Sequence, residues 1–167
     1  MYSSIQIANY FLRKGQNTGI EITPMKLIKL VYIAHGWTLG FKDEPLLIEQ
    51  VYAWKYGPVI EKLYDYFKVY GSSPISELYA PNFIQPPPLP GKEAEEILEA
   101  VWKAYGHFDG ISLSAMTHKK GTPWYSIWHQ KRANESAQIP IPNDLIKKYY
   151  KEKIEDIKMR RNQLQEV

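Results

Sequence analysis

Apolar residues recur at three- and four-residue spacing along most of the chain, which predicts helices and sets their buried faces. Between Ser3 and Gly15 they are Ile7, Ala8, Phe11 and Leu12, with Ser3 or Ser4 placed to cap the start and Gly15 to stop the end. The segment ITPMKLIKLVYIAHGWTLG then offers Thr23 as N-cap, Pro24 in the first turn and Gly40 as terminator. Leu27, Leu30, Val31, Ala34 and Trp37 form one stripe of this helix. Ile28, Tyr32, His35 and Leu39 form a second, which leaves Lys26 and Lys29 as its only charges. A helix apolar almost all round belongs at the centre of a fold, so residues 24–39 are expected to be the central buried helix.

After a turn at Lys42 to Pro45, the run LLIEQVYAWKY is rich in residues that favour strands, and an extended segment is expected over Glu49 to Lys55. Pro58 reads as the first residue of a third helix, with Val59, Leu63, Tyr66, Phe67 and Tyr70 on one face and Gly71 at its end. Ser72 to Gly91 is proline-rich, with three in a row at Pro86 to Pro88, and reads as a long loop over one core, because neither flank alone holds a domain's apolar inventory. Lys92 to Tyr105 is a fourth helix, closed by Gly106. Two short helices follow, one capped by Ser112 and broken at Gly121, the next capped by Thr122 with Pro123 in its first turn and Trp124, Ile127 and Trp128 on one side. The prolines of AQIPIP, residues 137–142, make that tract extended and confine it to a sheet edge, with 49–55 as its expected partner. Asn143 caps a last helix, and the tail from Lys158 to Val167 is expected to fray. The whole predicts a mostly α fold: a single compact helical domain over residues 1–167, six to seven helices around 24–39, and a minor two-stranded β element joining 49–55 to 137–141.

Composition narrows the function classes. The chain has 167 residues, 44% hydrophobic and 14% aromatic, enough for one buried core. Its formal charge of +3 does not argue for nucleic acid or a membrane as partner. There is no cysteine, so disulfides and thiolate metal sites are excluded. The first residues lack the order of a signal peptide, and no apolar run approaches the ~20 residues that span a bilayer, so a cytoplasmic protein is expected.

The residues that can carry chemistry are few. His35, His107, His118 and His129 show no short ligand spacing, so no metal or cofactor is expected, and His35 is expected in the core with its ring hydrogen-bonded. Asp109, Ser112, Ser114 and His118 fall within ten residues and invite a hydrolase reading. No G-x-S-x-G elbow accompanies them, and Ser114 and His118, four apart on a short helix, lack an obvious orienting acid. The lysines and arginines of the last helix, Lys147 to Arg161, alternate with acids and read as a solvated face. What stands out is an aromatic surplus of thirteen tyrosines and five tryptophans, several beside turns: Trp54, Tyr56, Tyr79, Trp124 and Tyr125. Such side chains anchor protein interfaces or close the ends of a small core.

TPMKLIKLVYIAHGWTLG, AWKYGPVIEKLYDYF and LSAMTHKKGTPW, in that order, resemble the SocA-like antitoxin family, or Panacea domain, over about Ser3 to Ile157. The resemblance implies a mostly helical bacterial or phage protein, not an enzyme, that neutralises a toxin encoded beside it. It also implies, as an alternative, an adaptor that delivers the toxin to the ClpXP protease. A homodimer, and a cryptic hydrolase using His118, remain further alternatives. Mapped onto this chain, the partner-binding candidates are Trp54, Tyr56, Gly57, Pro58, Thr117, His118, Pro123 and Trp124, with His35 and Val59 as structural motif positions. Of the two corner aromatics, Trp54 is expected to pack inward and Tyr56 to meet a partner.

Overall fold

The structure is a computed structural model that describes residues 1–78, 88–130 and 138–165. Seven α-helices and a small sheet are arranged, among these residues, as α1 (Ser4–Thr18), α2 (Pro24–Lys42), β1 (Tyr52–Trp54), β2 (Gly57–Val59), α3 (Glu61–Phe67) with a 3-10 turn (Lys68–Tyr70), α4 (Lys92–Tyr105), α5 (Gly110–His118), α6 (Pro123–Gln130), β3 (Ile139–Pro140) and α7 (Asn143–Gln165). The mostly α fold expected from the sequence is what is found.

Helix α2 is the hub. It packs against α1, α3, α4, α5, α7 and β2, and every residue from Lys26 to Gly40 is buried. Gly40, expected as a stop, serves packing instead, together with Gly36. A Cβ at Gly36 would lie 2.0 Å from Tyr150 Cε2, and one at Gly40 would lie 2.9 Å from Tyr150 Cβ and 3.1 Å from Ile154 Cδ1. Together they form the groove that α7 occupies, so α2 runs past Gly40 to Lys42 and closes on Asp43 in the left-handed conformation. Helix α1 likewise passes Gly15 and ends at Thr18, while its start follows the sequence, with Ser3 and Gln6 in a reciprocal capping box.

His35 sits fully buried on α2 and ties three elements together. Its Nε2 pairs with Asn143 Oδ1 at 2.9 Å, at the start of α7, and its Nδ1 accepts the Leu47 backbone N–H at 3.3 Å. Those partners fix the neutral Nε2–H tautomer, and burial pushes its pKa down.

The sheet differs from the expected pair. β1 is central, antiparallel both to β2 (Tyr52 opposite Val59, Ala53 opposite Pro58, Trp54 opposite Gly57) and to β3 (Tyr52 opposite Pro140, Ala53 opposite Ile139). The expected partnership with the proline tract is found over Tyr52–Trp54 and Ile139–Pro140, while Ala137 lies outside the described residues. Pro58, however, does not open a helix. It lies in β2, an edge strand that can forgo one backbone N–H, and α3 begins only at Glu61. Two other boundaries are corrected. Asp109, not Ser112, caps α5, its Oδ1 accepting the Ser112 N–H at 2.7 Å, and the expected frayed tail continues as helix to Gln165.

Candidate functional site

The β1–β2 hairpin makes the corner on which most of the sequence candidates converge. Lys55 and Tyr56 form a two-residue turn of L-residues, a geometry that splays paired strands unless the next residue corrects it. Gly57 makes that correction at φ +106°, a conformation that side chains rarely adopt. A Cβ there would also lie 2.6 Å from Lys29 Nζ, 3.0 Å from Thr117 Oγ1 and 3.1 Å from His118 Cε1. The glycine therefore lets the hairpin lie directly on α2 and α5.

Beneath it lies a residue that motif reading passed over. Lys29 is 2% exposed, and its Nζ donates to the Pro58 carbonyl at 3.0 Å. Burial alone pushes its pKa down from 10.5 to about 7. Lys26, one turn earlier, is also buried and donates to the Gly106 carbonyl at 2.7 Å, closing the end of α4. The signal was present in the sequence: two charges on a helix apolar all round must find partners, and both find backbone carbonyls of neighbouring elements.

Around the corner opens a cleft of about 650 Å³, in the size range of sites that hold ligands or side-chain clusters. Met25, Ile28 and Lys29 form the α2 wall, Trp54, Tyr56 and Val59 the hairpin wall, and Tyr64 and Lys68 the far side. The Trp54 ring meets Tyr64 edge-on at 5.0 Å, which holds the far wall in place.

Support comes from the opposite side of the hairpin. Trp124 is buried, donates its indole N–H to the Trp54 carbonyl at 2.7 Å, and stacks on Trp128 at 5.5 Å. Thr122 caps α6 and also bonds the Thr117 carbonyl at 2.8 Å, so α5 and α6 form one bracket. The eight partner candidates thus divide. Tyr56 is 62% exposed, and Trp54 and His118 are half-buried. Gly57, Pro58, Thr117, Pro123 and Trp124 are buried. Trp124, one of these candidates, is buried, and its ring is an internal strut beneath the hairpin. Trp54 packs against the core, as expected of the corner post. Val59, a structural motif position, is buried in β2. Tyr79 lies outside the described residues.

The serine and histidine of the hydrolase reading are adjacent but otherwise engaged. Ser114 Oγ donates to the Tyr56 carbonyl at 3.1 Å, and His118 Nδ1 contacts the Ser114 carbonyl at 2.6 Å, against 3.4 Å to Ser114 Oγ. Asp109 is engaged at the α5 cap. The pair braces the hairpin turn against α5. In α7, Lys147 and Lys151 face Asp43 at 3.9 and 2.5 Å, and Lys153 Nζ lies over the rings of Trp37, Tyr149 and Tyr150. Among the described residues no cluster of ligand side chains could hold a metal, and no helix is long and apolar enough to cross a membrane.

Comparison with known proteins bears on the same residues. The sequence model of the family described as "Antitoxin SocA-like, Panacea domain" matches residues 27–125, a span that contains Lys29, the hairpin, α5 and the start of α6. Antitoxin SocA of Caulobacter vibrioides (strain NA1000 / CB15N) is 31% identical over 148 residues, covering 84% of this chain and 78% of that protein. No solved structure matches the chain.

Proposed function

The chain belongs to the SocA-like antitoxin, Panacea domain, family, and from that premise we propose that it is a cytoplasmic, non-enzymatic antitoxin that neutralises the toxin encoded beside it by binding that protein directly. The observation that carries this reading is the hairpin corner. Tyr56 stands exposed at its tip, Trp54 walls a cleft at its side, and the buried motif residues Gly57, Thr117, Pro123 and Trp124 hold both in place. Rigid presentation of aromatic side chains lowers the entropy lost on binding, and one well-seated anchor contributes ~2 kcal/mol or more. The test is co-expression. The product of the neighbouring reading frame alone should arrest growth, growth should return when this chain is supplied, and the two should co-purify. A neighbour that is harmless alone, or toxicity undiminished by this chain, would contradict the reading.

One observation favours the adaptor alternative as an added role. Helix α7 carries Ile157, Met159 and Leu164 exposed at 54%, 59% and 80% on its final turns. Such a projecting, apolar-studded end is suited to engage an unfoldase such as ClpX. Deleting residues 158–167 should then stop degradation of the toxin while leaving toxin binding intact, and unchanged degradation would remove this role.

A further inference from the structure

The cleft lining is apolar, aromatic or basic apart from Gly71 and Gln138, and holds no carboxylate. Lys68 is matched by Asp65 at 2.7 Å, and Lys55 Nζ stands 5.4 Å from the Tyr56 ring. Lys29 differs from both. It is a buried amine, it has one carbonyl acceptor at 3.0 Å, and no carboxylate pairs with it among the described residues. Another buried donor, the indole N–H of Trp54 in the hairpin wall, has no hydrogen-bond acceptor. Buried donors without acceptors cost about 1–3 kcal/mol each, a cost that an incoming acceptor recovers.

Resting on the antitoxin reading, we propose that this cleft receives an acidic side chain of the toxin, flanked by apolar residues, with its carboxylate seated on the Lys29 amine and its neighbours against Met25, Trp54 and Tyr64. Charge complementarity selects the occupant. An apolar segment would leave the amine unmatched and a basic one would repel it, whereas a carboxylate satisfies it at short range.

The amine's protonation gives the complex a signature. With its pKa near 7, Lys29 is largely uncharged at slightly alkaline pH, and a carboxylate beside it restores the ammonium form. Binding should therefore take up a proton. The other polar groups lining the cleft are Lys55 and Tyr56 of the turn, Tyr64 and Lys68 of α3 and its 3-10 turn, and Gln138, while Thr117 and His118 of α5 lie beside Gly57 with the amine.

The probes are the peptides acetyl-Leu-Glu-Phe-amide and acetyl-Leu-Gln-Phe-amide, titrated to millimolar concentration into the full chain at about pH 7.5 and followed by the Trp54 indole N–H resonance. The glutamate peptide should shift that resonance saturably, the glutamine peptide should bind about tenfold more weakly, and Lys29→Met should erase the difference. Equal affinities, no response at Trp54, or a preference that survives in Lys29→Met would overturn the proposal. Should Lys29→Met not fold, calorimetry of the unsubstituted chain in two buffers of different ionisation heat decides. Uptake of roughly 0.7 proton with the glutamate peptide is the expected result, and no uptake overturns it. A neighbouring toxin that is bound and neutralised while the peptides fail would sink the cleft assignment alone. A neighbour that is harmless or unbound would sink the antitoxin reading whatever the peptides do.

Discussion

Gly57→Ala is expected to destabilise the fold by about 3 kcal/mol. The φ of +106° is strained for any L-residue at ~1–3 kcal/mol, and the added methyl overlaps the Lys29 amine 2.6 Å away. A lysine terminus elsewhere would swing aside. This one is enclosed and bonded to the adjacent Pro58 carbonyl, so moving it breaks that bond and strands a buried donor. For a chain of this size the thermal midpoint should fall by roughly 10 °C. A loss under about 1 kcal/mol would mean that the hairpin does not rest on Lys29 as described.

The same lysine should give stability an unusual dependence on pH. Its pKa is 10.5 when unfolded and about 7 when folded, so between those values the unfolded chain holds a proton that the folded chain has released. Raising the pH through that window therefore favours the folded state. Below pH 7 both states are protonated and the penalty of burying the charge is complete. Lys26 and Lys153, whose pKa values burial also lowers, contribute in the same direction, whereas the buried Tyr32 and Tyr150, held neutral by desolvation, reverse the trend above about pH 10. Urea unfolding should show a gain of about 2 kcal/mol from pH 7 to 9, most of it lost in Lys29→Met. An identical pH profile in the variant would contradict the buried-amine account.

The pattern of apolar positions located α2, α4 and α7 because periodicity over many residues reports burial directly. It failed where one residue type has two uses. Pro58 suits the first turn of a helix and equally an edge strand, and only pairing with Ala53 decides between them. Gly40 suits a helix end and equally a close helix crossing, and only the arrival of Tyr150 and Ile154, more than a hundred positions later, decides that. Ser112 and Asp109 both suit a cap, and α5 begins at the earlier residue. At the candidate site, the motif residues converge on one corner of the fold, but the motifs did not separate exposed positions from buried ones. Tyr56 and Trp124 look alike as turn-side aromatics, yet one is exposed and the other buried under the hairpin. Lys29 was visible as one of only two charges on an apolar helix. Its destination under Gly57 needs the tertiary fold.

The central claim is that the hairpin corner is the surface that holds the toxin. It is tested most directly by the Kd of the purified chain for the product of the neighbouring reading frame, measured for the unsubstituted protein, Tyr56→Ala and Leu164→Ala. Both side chains are exposed, at 62% and 80%, so neither change should disturb the core. Tyr56→Ala is expected to weaken binding about 30-fold, the equivalent of ~2 kcal/mol, with Leu164→Ala unchanged. Full affinity in a folded Tyr56→Ala protein, or a loss confined to Leu164→Ala, would contradict the account.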